Sequence, residues 1–552
     1  MFDGTMMGFP LSIGHLLERG RAIFPDSEVV SRGPDKRTRS QTYEQTYARS
    51  EKLARALGRL GVRPGDRIAT LSWNHAQHLE CYLGIPAMGA VVHTLNIRLP
   101  PSELAYITNH AEDVAVVVDR TLLPLFEKFR SELKTVKHIL VVRDDGGPIE
   151  PPFLDYDALV DAETACPRAV GFTPPEGPFA ATVDENQAAM ICYTSGTTGN
   201  PKGVAYSHRS TILHAMVGSM RDMMGIGCDD VVLPVVPMFH AAAWGLPYMA
   251  YLNGAKLVFP GCHLDPESLL DLMVSQRVTL AAGVPTIWNG ILAKLDAEPK
   301  RWDLSSVRTM IIGGSAAPAS MIEGFEKRHG LVVTHAWGMT ETNPLGTLAR
   351  VVQKVRVRGE EAILSARASQ GIPAAFVETR HVDDSGQILP WDGAKMGELE
   401  VRGPWVTRSY VSGEGTDRFT EDGWFKTGDI VTIDAEGYVR ITDRSKDVIK
   451  SGGEWISSVA LENALMAHPA VLEAAVFAGQ HPKWGERPIA AIVWKPGQTA
   501  PESELAAHLA ERFPKYWLPD HYVVIDQIPR NSTGKFLKSK LRDQYGDVLV
   551  AK

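Results

Sequence analysis

Short apolar runs rich in β-branched residues alternate with helical patterns through the first 190 residues of this chain. In residues 43–60, Leu53, Leu57 and Leu60 fall on one helical face, and Gly61 is typical of a helix end. The same patterns predict helices around residues 77–88 and 101–110 and strands at 67–71, 90–94 and 113–118. Alternation at this spacing is typical of βαβ units, so the sequence predicts an α/β fold built on parallel sheets.

The chain has 552 residues, which is enough for two or more domains. Residues 144–185 are rich in Pro, Gly and acidic residues, and we expect a surface loop there. A second α/β half is predicted over residues 188–345, and a β-rich part with frequent glycine after residue 371. Helix and strand patterns then alternate again to residue 552, so we expect a domain boundary near Arg444 and a small α+β domain after it.

Charge and cysteine content narrow the class of protein. The chain carries 57 Lys and Arg against 65 Asp and Glu, a net charge of −8, which argues against a nucleic-acid-binding protein. Its 5 cysteines are dispersed without a CxxC pair, as in proteins of a reducing compartment. The N-terminal residues include Asp3 and no basic stretch, so no secretory signal is predicted and we expect a cytoplasmic protein.

Residues 241–261 are mostly apolar and could be mistaken for a membrane span. A spanning helix needs roughly 20 predominantly apolar residues with few breakers. This stretch contains Pro247, Asn253, Gly254 and Lys256. We therefore predict that it belongs to the protein core and that the chain has no transmembrane segment.

A loop rich in glycine and hydroxylated residues, YTSGTTGNPKGV (193–204), follows the strand-like run AAMICY. Glycines let backbone N–H groups approach phosphate oxygens, and Lys202 adds a positive charge. The loop is not a Walker A motif, because Lys202 is followed by Gly203 rather than Ser or Thr and the glycine spacing differs. We predict a phosphate-binding loop rather than a flexible linker.

This loop resembles the phosphate loop of the adenylate-forming superfamily, which includes acyl-CoA synthetases, luciferases and nonribosomal adenylation domains. Further segments resemble motifs of that family in the same order: PMFHAAAWG (237–245), GGSAAP (313–318), HAWGMTET (335–342), GWFKTGDI (423–430), DRSKDVIKSGGEWIS (443–457) and PRNSTGKFLK (529–538). Within the superfamily, the sequence is most similar to bacterial medium- and long-chain fatty acyl-CoA synthetases, a branch that includes methylmercaptopropionate-CoA ligases.

The resemblance implies an AMP-forming acid–CoA ligase that uses ATP, Mg²⁺ and CoA. A medium- to long-chain fatty acid would react with ATP to give an acyl-adenylate and pyrophosphate, and CoA would then displace AMP. The alternatives are a 3-methylmercaptopropionate- or aryl-acid–CoA ligase and an adenylating enzyme that loads a carrier protein. The presence of Glu341, Lys446 and Lys535 argues against a non-catalytic binding protein. The resemblance further implies a homodimer with no nucleic-acid partner and at most peripheral membrane contact.

The resemblance also assigns the nucleotide site. Trp337 stands where the family usually has Tyr, so an aromatic platform for adenine is kept and the phenol is lost. Asp429 matches a carboxylate that accepts the ribose hydroxyls, although a turn-forming Asp after Gly428 fits the spacing equally well. The residues implied to bind ATP or AMP are Thr194, Ser195, Gly196, Thr197, Thr198, Gly199, Lys202, Gly314, Ser315, Ala316, His335, Ala336, Trp337, Gly338, Met339, Thr340, Asp429, Arg444 and Trp455.

Thr194 and Glu341 match the family positions that help to hold Mg²⁺. A hydroxyl and a carboxylate supply the hard oxygen atoms that this ion prefers. Taken alone, Glu341 would be interpreted as a surface glutamate after a turn. Within HAWGMTET the metal-binding interpretation is favoured, and Glu341 also counts among the implied catalytic residues.

The C-terminal motifs imply a mobile lid. The resemblance divides the chain into an N-terminal domain (1–443), a hinge (444–446) that includes Lys446, and a C-terminal domain (447–552). Lys535 matches the lysine that serves adenylation, while Lys450 and Trp455 match positions that reach the nucleotide or CoA. The resemblance counts Lys535, Lys446 and Lys450 among the catalytic residues. Without the resemblance, the charges around Lys446 and Lys450 would be interpreted as a solvated face, and Lys535 as a surface lysine.

The acyl site is implied by PMFHAAAWG, in which His240, Ala241 and Trp244 match the fatty-acyl branch. There the tryptophan acts as a gate to an apolar tunnel; ordinary packing of a core tryptophan is the alternative. Ala241 and Ala242 replace the bulkier Val-Asn often found in that branch. The segment has no acidic residue to pair with a substrate ammonium, so activation of an amino acid is not predicted.

Overall fold

A computed structural model of the chain describes residues 4–167, 171–172, 177–179, 183–194, 200–315, 317–452, 454–530 and 536–550. The α-helices in these residues are α1 (Ile13–Ile23), α2 (Tyr43–Arg59), α3 (Ala76–Ala87), α4 (Pro101–His110), α5 (Leu123–Phe126), α6 (Tyr156–Asp161), α7 (His208–Ser219), α8 (Leu246–Asn253), α9 (Pro266–Ser275), α10 (Pro285–Ala297), α11 (Ala319–His329), α12 (Gln353–Arg356), α13 (Glu360–Ala368), α14 (Ser458–Met466), α15 (Glu502–Ala510) and α16 (Lys538–Tyr545).

The strands are β1 (Glu28–Arg32), β2 (Thr38–Thr42), β3 (Arg67–Leu71), β4 (Val91–Thr94), β5 (Asp113–Asp119), β6 (His138–Val142), β7 (Leu154–Asp155), β8 (Ala188–Tyr193), β9 (Gly203–Ser207), β10 (Val231–Pro234), β11 (Lys256–Phe259), β12 (Leu280–Gly283), β13 (Thr309–Ile312), β14 (Val333–Gly338), β15 (Leu345–Leu348), β16 (Ile372–Pro373), β17 (Glu378–Val382), β18 (Gly397–Arg402), β19 (Phe425–Ile433), β20 (Val439–Arg444), β21 (Ile449–Ser451), β22 (Glu454–Ile456), β23 (Val471–His481), β24 (Gly485–Trp494) and β25 (His521–Val524). Short 3₁₀ segments occupy Arg120–Leu122, Arg130–Glu132, Gly177–Phe179, Ala241–Gly245, Thr340–Thr342, Val411–Gly413, Thr416–Arg418 and Lys515–Trp517.

The first parallel sheet has the strand order β7-β6-β5-β3-β4-β8-β9, in which β9 runs antiparallel to β8. Helix α2, which packs near it, begins with a capping box in which Thr42 and Gln45 exchange side-chain-to-backbone hydrogen bonds. Strand β8 was predicted to open the second α/β half. That placement is wrong, because Met190 of β8 pairs with Val92 of β4 and extends the first sheet.

The second sheet has the order β16-β15-β14-β13-β12-β10-β11-β1-β2 and is parallel from β14 to β1. Its edge comes from the N-terminal end of the chain, since Val29 of β1 pairs with Leu257 of β11. The loop between the sheets, predicted over 144–185, is partly ordered into secondary structure. Asp155, at the end of β7, accepts a hydrogen bond from the backbone N–H of Ala158 and so caps α6.

The remaining strands form two further layers. Antiparallel β17 to β20 make the predicted β-rich part, and β21 to β25 with α14, α15 and α16 make a smaller C-terminal domain with its own apolar core. The protein is therefore a mixed α/β chain with a large N-terminal and a small C-terminal domain. The apolar stretch 241–261 breaks into a turn, α8 and β11 inside the main core. Among the described residues, no helix is long and apolar enough to cross a membrane.

Candidate nucleotide and acyl site

The glycine loop leaves the first sheet between two paired strands. Tyr193, the last residue of β8, lies opposite Gly203, the first residue of β9. At the neck of the loop, the N–H of Thr194 donates to the carbonyl of Lys202 at 2.9 Å, and the N–H of Lys202 donates to Oγ1 of Thr194 at 3.3 Å. The structure thus brings these two predicted phosphate-loop residues together. Ser195, Gly196, Thr197, Thr198 and Gly199 lie outside the described residues.

Tyr410 connects the phosphate loop to the predicted metal ligand. Its hydroxyl donates to Oε1 of Glu341 at 2.6 Å, and Nζ of Lys202 lies 5.2 Å from the centroid of its ring. Glu341 is only 6% exposed, so the interpretation as a surface glutamate is wrong. Burial and the nearby carboxylate raise the pKa of Tyr410 well above its ordinary value, so the hydroxyl keeps its proton. Sequence reasoning missed Tyr410, which belongs to none of the quoted motifs.

The segment from His335 to Glu341 follows β14 into a short 3₁₀ turn. Two hydrogen bonds hold the main chain of the turn. The hydroxyl of Tyr206 donates to the carbonyl oxygen of Thr340 at 2.7 Å. The N–H of Thr407 donates to the carbonyl oxygen of Glu341 at 2.7 Å. Gly338 is required there, because a Cβ at this position would lie 1.8 Å from the carbonyl oxygen of Pro344. The predicted residues of this motif, among them Ala336 and Met339, lie along the end of β14 and the turn that follows it.

Asp429 lies between Trp337 and Arg444. The indole N–H of Trp337 donates to Oδ2 of Asp429 at 2.8 Å, and Nε of Arg444 lies 2.6 Å from Oδ1. Asp429 and Arg444 are directly opposite each other on β19 and β20, so the alternative of a turn-forming Asp429 is wrong. The large indole fits because position 346 is glycine; a Cβ there would lie 2.3 Å from Cζ3 of Trp337. The tryptophan that replaces the family's usual Tyr thus holds the predicted ribose acceptor.

The GGSAAP motif begins after β13, and its first four residues (313–316) resemble the family's loop against adenine, so they form the predicted adenine loop. Gly314 has a φ of 81°, and a Cβ at Gly313 would lie 3.0 Å from Cη2 of Trp244. Ala316 lies outside the described residues, and Ser315 is exposed. His335 is buried to 2% exposure, and burial lowers its pKa to about 4, so its ring is neutral near pH 7. The glycines let the adenine loop and the predicted gate tryptophan meet.

Residues 240–245 adopt an unusual backbone. Ala241, Ala242, Ala243 and Trp244 have φ values of 43°, 52°, 48° and 58°, in the left-handed region. This conformation costs a non-glycine residue roughly 1–2 kcal/mol, and such strain concentrates at functional sites. The alanines are buried, while Trp244 is partly buried and packs against the main core; His240 precedes the segment. Its predicted gate role stays a prediction.

The C-terminal hairpin faces the β-rich part of the large domain. Lys450 of β21 lies opposite Trp455 of β22, with its Nζ 5.0 Å from the indole, and it pairs with Asp384 at 3.3 Å. The hairpin closes a cavity of about 220 Å³ that is also lined by Glu398. Lys446 is exposed in the turn after β20, and Lys535 lies outside the described residues. The structure thus brings Lys450 and Trp455 together at the face between the domains.

The donor set fits Mg²⁺ held largely by a substrate. Glu341 offers a carboxylate and Thr194 a hydroxyl, both hard oxygen donors. Within the described part of the chain, no group of three or more His, Cys, Asp or Glu could hold a metal ion. Mg²⁺ usually keeps several waters and binds through one or two protein oxygens plus phosphates, and a carboxylate with a hydroxyl is compatible with such a site.

The chain is similar to known proteins along its whole length. The AMP-binding enzyme family matches residues 17–411, and the AMP-binding enzyme C-terminal domain matches residues 460–535. A long-chain-fatty-acid–CoA ligase of Thermus thermophilus is 47% identical over 547 residues, covering 99% of this chain and 97% of that protein. A 3-methylmercaptopropionyl-CoA ligase of Ruegeria lacuscaerulensis is 44% identical over 550 residues, covering 99% of both. The crystal structure of an anthranilate CoA ligase with anthranoyl-AMP has a TM-score of 0.84 at 25% identity, with 99% of both chains covered.

Proposed function

Because this chain belongs to the AMP-binding enzyme family, we propose that it is an AMP-forming acid–CoA ligase. A carboxylic acid, ATP and CoA give acyl-CoA, AMP and pyrophosphate through an acyl-adenylate. The observation that carries the proposal is Asp429, a carboxylate 1% exposed whose two oxygens meet the N–H of Trp337 and the guanidinium of Arg444. A buried, oriented acceptor of this kind suits the paired hydroxyls of a ribose.

Different residues are proposed to bind different parts of ATP. The glycine loop and Lys202 hold the phosphates, Trp337 and the loop from Gly313 meet adenine, and Asp429 accepts the ribose hydroxyls. Oriented donors and cations are needed because a carboxylate must approach an already anionic triphosphate. Mg²⁺ held by Glu341 and Thr194 would neutralise part of the phosphate charge.

The acid is proposed to be a medium- to long-chain fatty acid. The support is an apolar segment with His240, three buried alanines and Trp244, together with 47% identity to a long-chain-fatty-acid–CoA ligase. The second candidate is a short thioether acid, since a 3-methylmercaptopropionyl-CoA ligase is 44% identical over the same length. An aryl acid is the remaining alternative substrate, and a carrier protein is the alternative acyl acceptor. Formation of acyl-CoA from free CoA would distinguish a CoA ligase from an enzyme that loads a carrier protein.

The domain arrangement extends the proposal. An N-terminal domain (1–443) is followed by a hinge (444–446) at Lys446 and a lid (447–552) that presents two faces in turn. The loop with Lys535 serves adenylation, and the hairpin with Lys450 and Trp455 serves thioester formation. In the structure this hairpin contacts the large domain through an ion pair between Lys450 and Asp384. The enzyme is further proposed to be a cytoplasmic homodimer.

Product analysis tests the proposed reaction. Purified enzyme is incubated with ATP, Mg²⁺, CoA and a panel of acids, from short thioether acids to long fatty acids, and the nucleotides are separated by chromatography. Equal amounts of AMP, pyrophosphate and acyl-CoA are expected, with the highest kcat/KM for a fatty acid. Formation of ADP and orthophosphate would contradict the proposal.

The half-reactions test the roles of the lid. Lys535→Ala should slow acyl-adenylate formation on the order of 10²-fold, the scale of removing one transition-state donor. Lys446→Pro should instead slow thioester formation from supplied acyl-adenylate, because proline restricts the hinge. Lys540→Ala, at an exposed lysine of α16, is the matched control. If Lys535→Ala and Lys446→Pro lose both half-reactions equally, the two-pose account is wrong.

A further inference from the structure

The loop 410–415 touches both of the charged groups that the proposed reaction requires at the triphosphate. Its first residue, Tyr410, is 4% exposed, and the neighbouring 3₁₀ turn packs on the strand that leaves the phosphate loop. A Cβ at Gly203 would lie 3.2 Å from Cγ2 of Val411, so the two segments are in close contact. The loop therefore lies against the residue that follows Lys202.

Each part of the Tyr410 side chain contacts a different partner. The hydroxyl donates to Oε1 of Glu341 at 2.6 Å. The ring lies 5.2 Å from the ammonium of Lys202, within the range of a cation–π interaction. Gly415 leaves room for that ammonium, because a Cβ there would lie 2.8 Å from Nζ of Lys202. A single side chain thus spans the predicted phosphate cation and the predicted metal ligand.

The main chain of Glu341 is held by other groups. Tyr206 donates to the carbonyl of Thr340, and the N–H of Thr407 donates to the carbonyl of Glu341. Loss of the Tyr410 hydroxyl therefore leaves the turn anchored and frees only the carboxylate. The bond from Tyr410 also engages only one of the two carboxylate oxygens of Glu341, Oε1.

We propose that Tyr410 is a positioning residue, whose hydroxyl orients the carboxylate of Glu341 toward Mg²⁺ and whose ring places the ammonium of Lys202 toward the phosphates. This inference rests on the proposed function, in which Glu341 and Lys202 meet magnesium-bound ATP. Tyr410 couples the two groups, so that both are oriented before the nucleotide arrives. The hydroxyl of Tyr410 contributes to ATP binding only when Mg²⁺ is present, whereas its ring contributes with or without Mg²⁺.

Equilibrium binding of ATP, measured by titration calorimetry without acid or CoA, separates these roles. Tyr410→Phe keeps the ring and removes the hydroxyl. It should weaken ATP binding in Mg²⁺ about tenfold, the scale of a hydrogen bond to a charged group, and change binding in EDTA less than about twofold. Tyr410→Leu should weaken binding in both buffers. Tyr206→Phe, which removes a hydroxyl bonded to the same turn, is the matched control and should affect both buffers equally.

A second pair of variants keeps the test independent of any loss of packing. In a Glu341→Gln background, Tyr410→Phe should have no further effect on the gain in affinity that Mg²⁺ provides, because its effect passes through Glu341. If Tyr410→Phe weakens binding equally with and without Mg²⁺, or not at all, the inference is wrong. If wild-type protein gains no affinity from Mg²⁺, the proposed role of Glu341 fails, and the inference fails with it.

Discussion

The nucleotide side of the site, defined by Lys202, Trp337, Glu341, Tyr410 and Asp429, is held by contacts between buried or partly buried polar groups. The acyl side, residues 240–245, is held instead by backbone conformation, with four consecutive non-glycine residues at positive φ. On the first side, a lost partner leaves a buried polar group unsatisfied. On the acyl side, a substitution is unfavourable because it changes the side-chain volume or increases the backbone strain.

This difference matches the ligands proposed for each side. The nucleotide proposed for this site is always ATP, and a ligand that does not vary is recognised well by directional hydrogen bonds from fixed side chains. The acid varies between relatives, and a cavity shaped by small apolar side chains changes its fit when one side chain changes size. The two sides meet at Gly313, where Trp244 lies close to the predicted adenine loop.

The largest expected effect comes from Asp429→Asn. The amide has one acceptor oxygen and no charge, so it cannot pair with Arg444 as well as accept from Trp337 and a ribose. We expect kcat/KM for ATP to fall on the order of 10²-fold. Asp434→Asn, in the turn that joins the same two strands, is the control and should change kcat/KM less than about threefold. Equal losses in both variants would assign Asp429 a structural role.

Substitution at Ala242 tests the strain on the acyl side. Its φ is 52°, which a β-branched residue adopts only at high cost. Ala242→Val should therefore lower the free energy of unfolding by about 2 kcal/mol or more, whereas Ala242→Gly should leave it within about 1 kcal/mol of wild type. Thermal and denaturant unfolding measure both variants. A valine variant as stable as wild type would contradict the left-handed conformation.

Gly313→Ala should impair both ATP use and acid selection, with a smaller loss of kcat/KM than Asp429→Asn causes. The new Cβ would lie 2.9 Å from the carbonyl of Ala336 and 3.0 Å from Trp244, so one of them must shift. We expect about a tenfold loss of kcat/KM for ATP and an altered preference among acids. Gly58→Ala, where no atom lies within 4 Å of the new Cβ, should leave both unchanged. A change confined to ATP would show that Trp244 does not depend on this contact.

Acid should destabilise the fold through its buried histidines. Burial lowers the pKa of His335 to about 4, so in the folded protein it stays neutral while the unfolded chain already binds a proton. Its stabilising contribution is complete above pH 6.5 and is lost as the pH falls from about 6.5 to about 4, by on the order of 1 kcal/mol or more. His335→Gln should flatten the fall in melting temperature across this window. The fall should persist in part, because burial also lowers the pKa of His78 and His208 to about 4.

Local patterns in the sequence predicted individual elements well. The helix expected at 43–60 is α2, and the helix expected at 101–110 is α4, because periodicity and end signals such as Gly61 act within a few residues. Sheet assignment could not be predicted in the same way. The pairing of Val29 with Leu257 joins residues more than two hundred positions apart, and no local pattern encodes it.

The same division holds for the site. Lys202 stands out because it ends a run of glycines and hydroxylated residues, whereas Glu341 and Asp429 were assigned through the resemblance of their motifs to those of the family. The assignment of Asp429 to a strand, opposite Arg444, depended on the sheet register. Tyr410 was missed because its importance lies in two contacts that form only after distant segments fold together. One available signal was its place in the loop just ahead of GWFKTGDI, with glycines on both sides of Glu414.

Crossed measurements on Asp429→Asn and Trp244→Ala test the division between the two sides most directly. For each variant, kcat/KM is determined for ATP, and for a short thioether acid and a long fatty acid at saturating ATP. Asp429→Asn should lower kcat/KM for ATP and leave the ratio between the acids within about twofold, because its contacts are all on the nucleotide side. Trp244→Ala should shift that ratio by about tenfold or more and change kcat/KM for ATP little, because it removes the indole predicted to gate the acyl site. If Asp429→Asn shifts the acid ratio as much as Trp244→Ala does, the two sides are not separately determined and the account is wrong.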